Sequence, residues 1–76
     1  MKLFTTPWCE PCNTLRQRLT DLGVMFEEIN IEENPDEAFK YDIRAVPTII
    51  TSDGVRKVGS PPLPTLKEWI DASNTG

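Results

Sequence analysis

The sequence contains no histidine, a single tyrosine and only two cysteines, Cys9 and Cys12. A structural zinc site needs about four nitrogen or sulfur ligands. With no imidazole and no third thiol, the chain supplies half of one, and only a second copy or borrowed carboxylates would complete it. Long apolar runs are missing too. No stretch approaches the roughly 20 residues of a membrane-spanning helix, and MKLFTTPW lacks the apolar run of a secretory signal. The expected location is cytoplasmic, where reducing pools keep ordinary thiols reduced. Positive charge is scarce, with eight basic residues against twelve acidic ones and a net charge of −4. That balance argues against nucleic acid as a partner. Seventy-six residues predict one domain, 1–76, with a single modest core, acting as a monomer with no membrane partner.

What is present reads as alternating elements. Met1 to Thr6 is short and apolar and predicts a first strand running into a loop at Pro7. From Cys9 the period changes. Cys12, Leu15, Leu19 and Leu22 recur at helical spacing, Arg16, Gln17, Arg18 and Asp21 fill the other face, and Gly23 supplies a stop. VMFEEINI, 24–31, reads as a strand whose apolar residues fail to alternate: Phe26 has one parity, Ile29 and Ile31 the other. A bulge near Glu27 and Glu28, or cover on both faces, would account for this.

NPDEAFKY predicts a short helix with Asn34 as N-cap, Pro35 at the first position and Glu37 as capping-box partner. Ala38, Phe39 and Tyr41 are expected to be buried there. VPTIIT, 46–51, predicts a third strand, and Asp53-Gly54 signals a two-residue hairpin returning along Val55 to Val58. After Gly59 the run SPPLP blocks regular pairing, and 65–73 predict a last helix with Leu66, Trp69 and Ile70 inward. The order is βαβαββα. A right-handed crossover makes the first two strands parallel and the hairpin adds an antiparallel edge, giving a small mixed α/β sheet with helices on both faces. The six carboxylates between Glu27 and Glu37 read as a solvated face plus a helix cap, with a docking patch for a basic partner as the other reading.

Both thiols lie on one turn, in TTPWCEPCNTL. A disulfide stabilises by closing a loop in the unfolded chain, and the benefit grows with loop length. A bridge across two residues closes almost the shortest loop available, so its use is chemical rather than mechanical. The thiolate is the reactive form of cysteine, and a helix N-terminus favours it through unpaired N–H groups and the helix dipole. Cys12, one turn on, can attack a mixed disulfide formed at Cys9 and release the reduced substrate. Pro11 fits because early helical N–H groups have no intrahelical partner to lose. Two inert core thiols are the plain alternative, and Pro7, Glu10 and Pro11 make a poor apolar setting for them.

WCEPC resembles the tryptophan-cysteine-x-proline-cysteine signature of thioredoxins, with Glu10 where they usually carry glycine. RAVPTI, Arg44 to Ile49, resembles the segment presenting their cis-proline, about 35 residues beyond the cysteines. The short length and the lead-in LFTTPWC are similar to glutaredoxins and NrdH-redoxins, the small electron donors of class Ib ribonucleotide reductases. The resemblance implies the minimal thioredoxin fold, a four-stranded sheet with three helices, without the extra N-terminal strand and helix of full thioredoxins. It implies Cys9 as exposed nucleophile, Cys12 as buried resolving thiol and Trp8 as the tryptophan packing beside the site; by itself Trp8 would read as a partly buried core aromatic. It also implies a cis bond at Val46-Pro47 that turns the Val46 backbone toward an extended substrate strand. Gly59 matches a glycine that lets a partner approach closely.

Two departures narrow the expectation. Glutathione-using glutaredoxins carry Gly-Gly and a polar, acidic helix start; here the stretch is GSPPLPT, and Pro61, Pro62 and Pro64 have no N–H to donate to a carboxylate. Leu3 stands where thioredoxins bury an aspartate. Glu10, beside Cys9, opposes the thiolate and is expected to make the couple more reducing. The expected function is a dithiol-disulfide oxidoreductase that reduces protein disulfides, ribonucleotide reductase being the client implied by resemblance. A flavoprotein of the thioredoxin reductase type would recharge it, and no cofactor is expected beyond the Cys9-Cys12 pair. The alternatives are a glutathione-dependent glutaredoxin and a non-catalytic binding module on the same fold.

Overall fold

Two-residue alternation in β1, Lys2–Thr5, sends Leu3 and Phe4 to opposite faces, and both are fully buried. A central strand covered on both sides is the organising feature of the computed structural model, which describes residues 1–74. The elements follow the expected order: β1, α1 (Glu10–Asp21), β2 (Glu27–Asn30), α2 (Pro35–Lys40), β3 (Thr48–Ile50), β4 (Arg56–Val58) and α3 (Leu63–Asn74). The sheet runs β2-β1-β3-β4, with β1 parallel to β2 and antiparallel to β3, and β3 antiparallel to β4.

Leu3 and its cross-strand partner Ile49 join Leu15 and Leu19 of α1 and Leu66 and Ile70 of α3 in the larger core cluster. Phe4, Ile29 and Ile50 form the other, closed by Ile31, Tyr41 and Ile43. Each fully buried Leu or Phe here contributes roughly 1.5–3 kcal/mol by leaving water. The uneven parity of 24–31 resolves without a bulge. Residues 27–30 pair in unbroken step with Lys2–Thr5; Phe26 packs on the first cluster and Ile29 and Ile31 on the second. Both faces are apolar because both are covered.

Several expectations needed correction. Asn34 does cap α2, but by backbone only: its side-chain amide donates to the Asn30 carbonyl at 3.0 Å, so no capping box forms. Glu37 is drawn instead to Lys2 Nζ at 3.5 Å. No residue of α2 is fully buried, and Phe39 is 88% exposed. The second cluster is closed by Ile31, Tyr41 and Ile43, which flank α2, so the helix is left outside it. The hairpin loop is three residues long, because Thr51 N–H reaches the Val55 carbonyl at 3.0 Å across Ser52, Asp53 and Gly54. Gly54, at φ 87°, takes the left-handed place that closes such loops. The last helix begins at Leu63, two residues earlier than expected, with Pro64 in its first turn, where no N–H is missed.

One polar contact pins α1 to the sheet. The Arg16 guanidinium forks onto Glu28, Nε to Oε1 at 2.5 Å and Nη2 to Oε2 at 2.6 Å, and the Thr5 hydroxyl donates to Oε2 at 3.1 Å. These bonds, Arg16 first, outweigh burial and hold the Glu28 carboxyl below its ordinary 4.5. A carboxyl lowered by folding contributes stability that is complete above its unfolded value and disappears as pH falls through the folded one. Glu28→Gln is therefore expected to cost about 1 kcal/mol at neutral pH, discounted for partial exposure. The gap between variant and parent should close below pH 4.5; urea melts at pH 7 and in acid would measure it.

Candidate active site

The register gathers one end of the sheet into a single locus. β1 leaves it through Thr5, β3 enters at Thr48 opposite Phe4, and β4 exits at Val58 opposite Thr48. The turn carrying Cys9, the Val46-Pro47 peptide and Gly59 therefore all lie at that end.

Cys9 stands just before α1 in extended conformation, φ −96° and ψ 105°, as its N-cap. Its N–H bonds the Thr6 carbonyl at 3.4 Å, which closes the preceding turn. Its sulfur takes the capping place usually held by a side-chain oxygen: Cys12 N–H donates to Cys9 Sγ at 3.1 Å. Cys9 and Cys12 are joined as a disulfide. Cys12 is fully buried on the core side of α1, in step with Leu15 and Leu19, whereas Cys9 is only partly covered. An attacking group from solvent thus meets Cys9 first. When the bridge is reduced, the same N–H and the helix dipole act on a Cys9 thiolate.

The neighbouring residues fall on both sides of the expectation. Trp8 is 82% exposed, so it is no core aromatic and does not pack down beside the site; it is a bare apolar surface one residue from Cys9. Glu10 and Pro11 are exposed in the first turn of α1. Val46-Pro47 is cis, and Pro47 is buried. Sheet pairing begins at Thr48, which leaves Val46 outside the ladder. Gly59 N–H donates to the Pro47 carbonyl at 2.9 Å, tying those two residues together. A Cβ at Gly59 would meet nothing of this chain within 4 Å, and φ 103° is the left-handed backbone that favours glycine there.

A side chain overlooked in the sequence completes the frame. Arg18 Nη1 donates to the Pro61 carbonyl at 2.5 Å and to the Ser60 carbonyl and hydroxyl at 3.5 and 3.4 Å. Pro61 and Pro62 cannot anchor this loop through amides, having none, so a cation on α1 holds it by its carbonyls. The signal was there in principle: a proline run leaves acceptors without donors. Nothing in the spacing says which donor comes. No three His, Cys, Asp or Glu side chains are grouped to hold a metal among the described residues, and none of their helices is long and apolar enough to cross a membrane.

The glutaredoxin family model matches residues 1–66. The chain is 40% identical over 80 residues to the thioredoxin of Rhodospirillum rubrum, covering 92% of this chain and 77% of that one. The chain belongs to the thioredoxin and glutaredoxin family. It is also 36% identical over 76 residues to the thioredoxin of Methanocaldococcus jannaschii, covering 92% of this chain and 89% of the relative. Among solved structures, a chloroplastic thioredoxin z superposes with a TM-score of 0.82 at 28% identity, over 99% of this chain and 77% of that one. As in that family, the redox group is the Cys9-Cys12 dithiol/disulfide, and the chemistry is thiol-disulfide exchange.

Proposed function

We propose that this thioredoxin-like oxidoreductase works as a reductant of protein disulfides, with Cys9 attacking and Cys12 resolving. The observation that carries this is the unequal exposure of two bonded sulfurs, one partly open at a helix start and one sealed beneath it. In the reduced protein, Cys9 thiolate attacks one client sulfur, the client S–S bond breaks, and the displaced client thiolate takes a proton. Cys12, deprotonated, then attacks Cys9 Sγ, forming the intramolecular bridge and releasing the second client thiol. Two electrons pass from dithiol to client.

Trp8 supplies an apolar contact beside the exchange, and Val46 offers backbone for an extended client segment, by β-augmentation. Pro47 and Gly59, joined by their hydrogen bond, shape that side of the site. Pro11 stiffens the first turn. Glu10 opposes the Cys9 thiolate, which favours a reducing couple; Glu10→Gly is expected to shift the potential to less negative values, measured against a glutathione redox buffer.

For recharging we favour a thioredoxin reductase-type flavoprotein over glutathione. The stretch 60–64, from the loop into the first turn of α3, has three prolines without N–H groups, and Arg18 already occupies the carbonyls of Ser60 and Pro61. A ribonucleotide reductase is a fitting client by resemblance to NrdH-redoxins, and a cytoplasmic location suits a protein that works reduced. The match to the glutaredoxin family model supports the competing glutathione-dependent reading. Insulin reduction separates them: turnover is expected with NADPH and thioredoxin reductase and not with glutathione and glutathione reductase. Turnover with glutathione only establishes the competing reading, and activity with neither would leave a binding module.

A further inference from the structure

Strand order separates charge across the sheet. The six carboxylates of residues 27–37 lie on β2 and on the turn and helix that follow it, at one edge; Lys2 and Arg16 pair with Glu27, Glu28 and Glu37, and Glu32, Glu33 and Asp36 keep the edge acidic. β4 is the opposite edge. It and the segment entering β3 carry Arg44, Arg56 and Lys57. Lys57 is engaged over the Trp69 ring, 5.6 Å from its centre. Arg44 and Arg56 line an open groove of about 530 Å³ with Asp42, Ala45, Thr48 and Val58. Ala45 and Thr48 bracket Val46-Pro47, so the groove runs beside the backbone assigned above to a client segment.

The groove carries net positive charge. Arg56 donates to the carbonyls of Asp42, at 2.9 Å, and Tyr41. Those acceptors orient the guanidinium without neutralising it, and among the described residues no carboxylate pairs with Arg56. Arg44 Nε meets Asp42 Oδ1 at 3.0 Å, but its side chain is 84% exposed and the pair is solvent-screened. Two cations and one carboxylate thus face solvent together, on a chain whose overall charge is −4.

We propose that this groove docks acidic, extended segments next to the disulfide of a protein client, so that the protein selects clients with carboxylates beside the reacting bond. This rests on the protein-disulfide reductase reading above. Guanidinium forks match carboxylates in shape as well as charge. Val58, exposed on the same groove, gives an apolar contact. The acidic edge at β2 repels such a segment while the β4 edge attracts it, so the field of the whole molecule orients the encounter. A lysine-rich segment meets the reverse field.

The test compares two peptides with the same disulfide, flanked by three aspartates in one and three lysines in the other. Their single-turnover reduction by the pre-reduced protein is followed at low and high salt. The acidic peptide should react roughly 5- to 30-fold faster at low salt, and the ratio should shrink as salt rises. In the double variant Arg44→Gln with Arg56→Gln the ratio should fall to about 2 or less. Arg56→Lys alone keeps the charge and should keep most of the preference. Equal rates for both peptides in the parent, or equal losses for both in the double variant, overturn the proposal. If the parent reduces neither peptide, the reductase reading fails, and the groove is judged alone by NMR. The acidic peptide with serine for cysteine should then shift amides in 44–48 and 56–58, and their silence overturns the docking site.

Discussion

Cys12→Ser is expected to stop turnover and to leave a client covalently stranded on Cys9. Serine in place of Cys12 removes the only other thiol, so a mixed disulfide formed at Cys9 has no internal attacker. The adduct should survive on a non-reducing gel and disappear with dithiothreitol. Cys9→Ser should be equally inactive in turnover yet form no adduct, because the remaining sulfur of Cys12 is fully buried. The contrast between the two variants is the decisive part. Adducts of similar yield from both would mean that burial does not set the order of attack, and the assignment of roles would fall. In both variants the fold should persist, since a bridge spanning two residues closes too short a loop to stabilise much.

Leu3→Ala is expected to cost about 3 kcal/mol, out of a total of roughly 4–11 kcal/mol for a domain of this size. Leu3 is fully buried at the centre of the larger cluster, where strand, α1 and α3 meet through Leu15, Leu19, Ile49, Leu66 and Ile70. A rigid neighbourhood of three elements cannot close over the lost side chain, so the cavity term adds to the transfer term. The melting temperature should drop by roughly 12–24 °C. Phe39→Ala, a larger truncation by volume, should stay within about 0.5 kcal/mol, because Phe39 is 88% exposed. Thermal melts of the two variants side by side test both statements. A large loss from Phe39→Ala would mean that α2 packs more deeply than its geometry indicates.

The same two residues mark where the sequence was informative and where it was not. Leu15, Leu19, Leu66 and Ile70 sit in helices of 12 residues whose period alone puts them inside, and Leu3 sits in a short apolar run that reads as a buried strand. Phe39 sits in a six-residue helix, too short for a period to be read. Its neighbours Ile31, Tyr41 and Ile43 compete for the same sheet face, and they take it. The capping box failed for a related reason: Glu37 had a distant partner, Lys2, that no local pattern reveals. The Asp53-Gly54 signal found the hairpin but missed its length, since the cross-strand pairing of Thr51 with Val55 sets the loop.

At the site, the local chemistry was readable because it is local. Two thiols three positions apart at a helix start must meet, and proline can stand only where an N–H is dispensable. Those short-range constraints, with the helical and strand periods, determined the order of elements, the redox pair and which sulfur is buried. Contacts across the sheet were decided by the tertiary structure alone. The Gly59 amide on Pro47, Arg18 on the proline loop and the opposed charged edges join residues 12, 42 or 43 and more positions apart. Chain closure over such distances depends on register and on which neighbour arrives first, and neither is written in the spacing of any one segment.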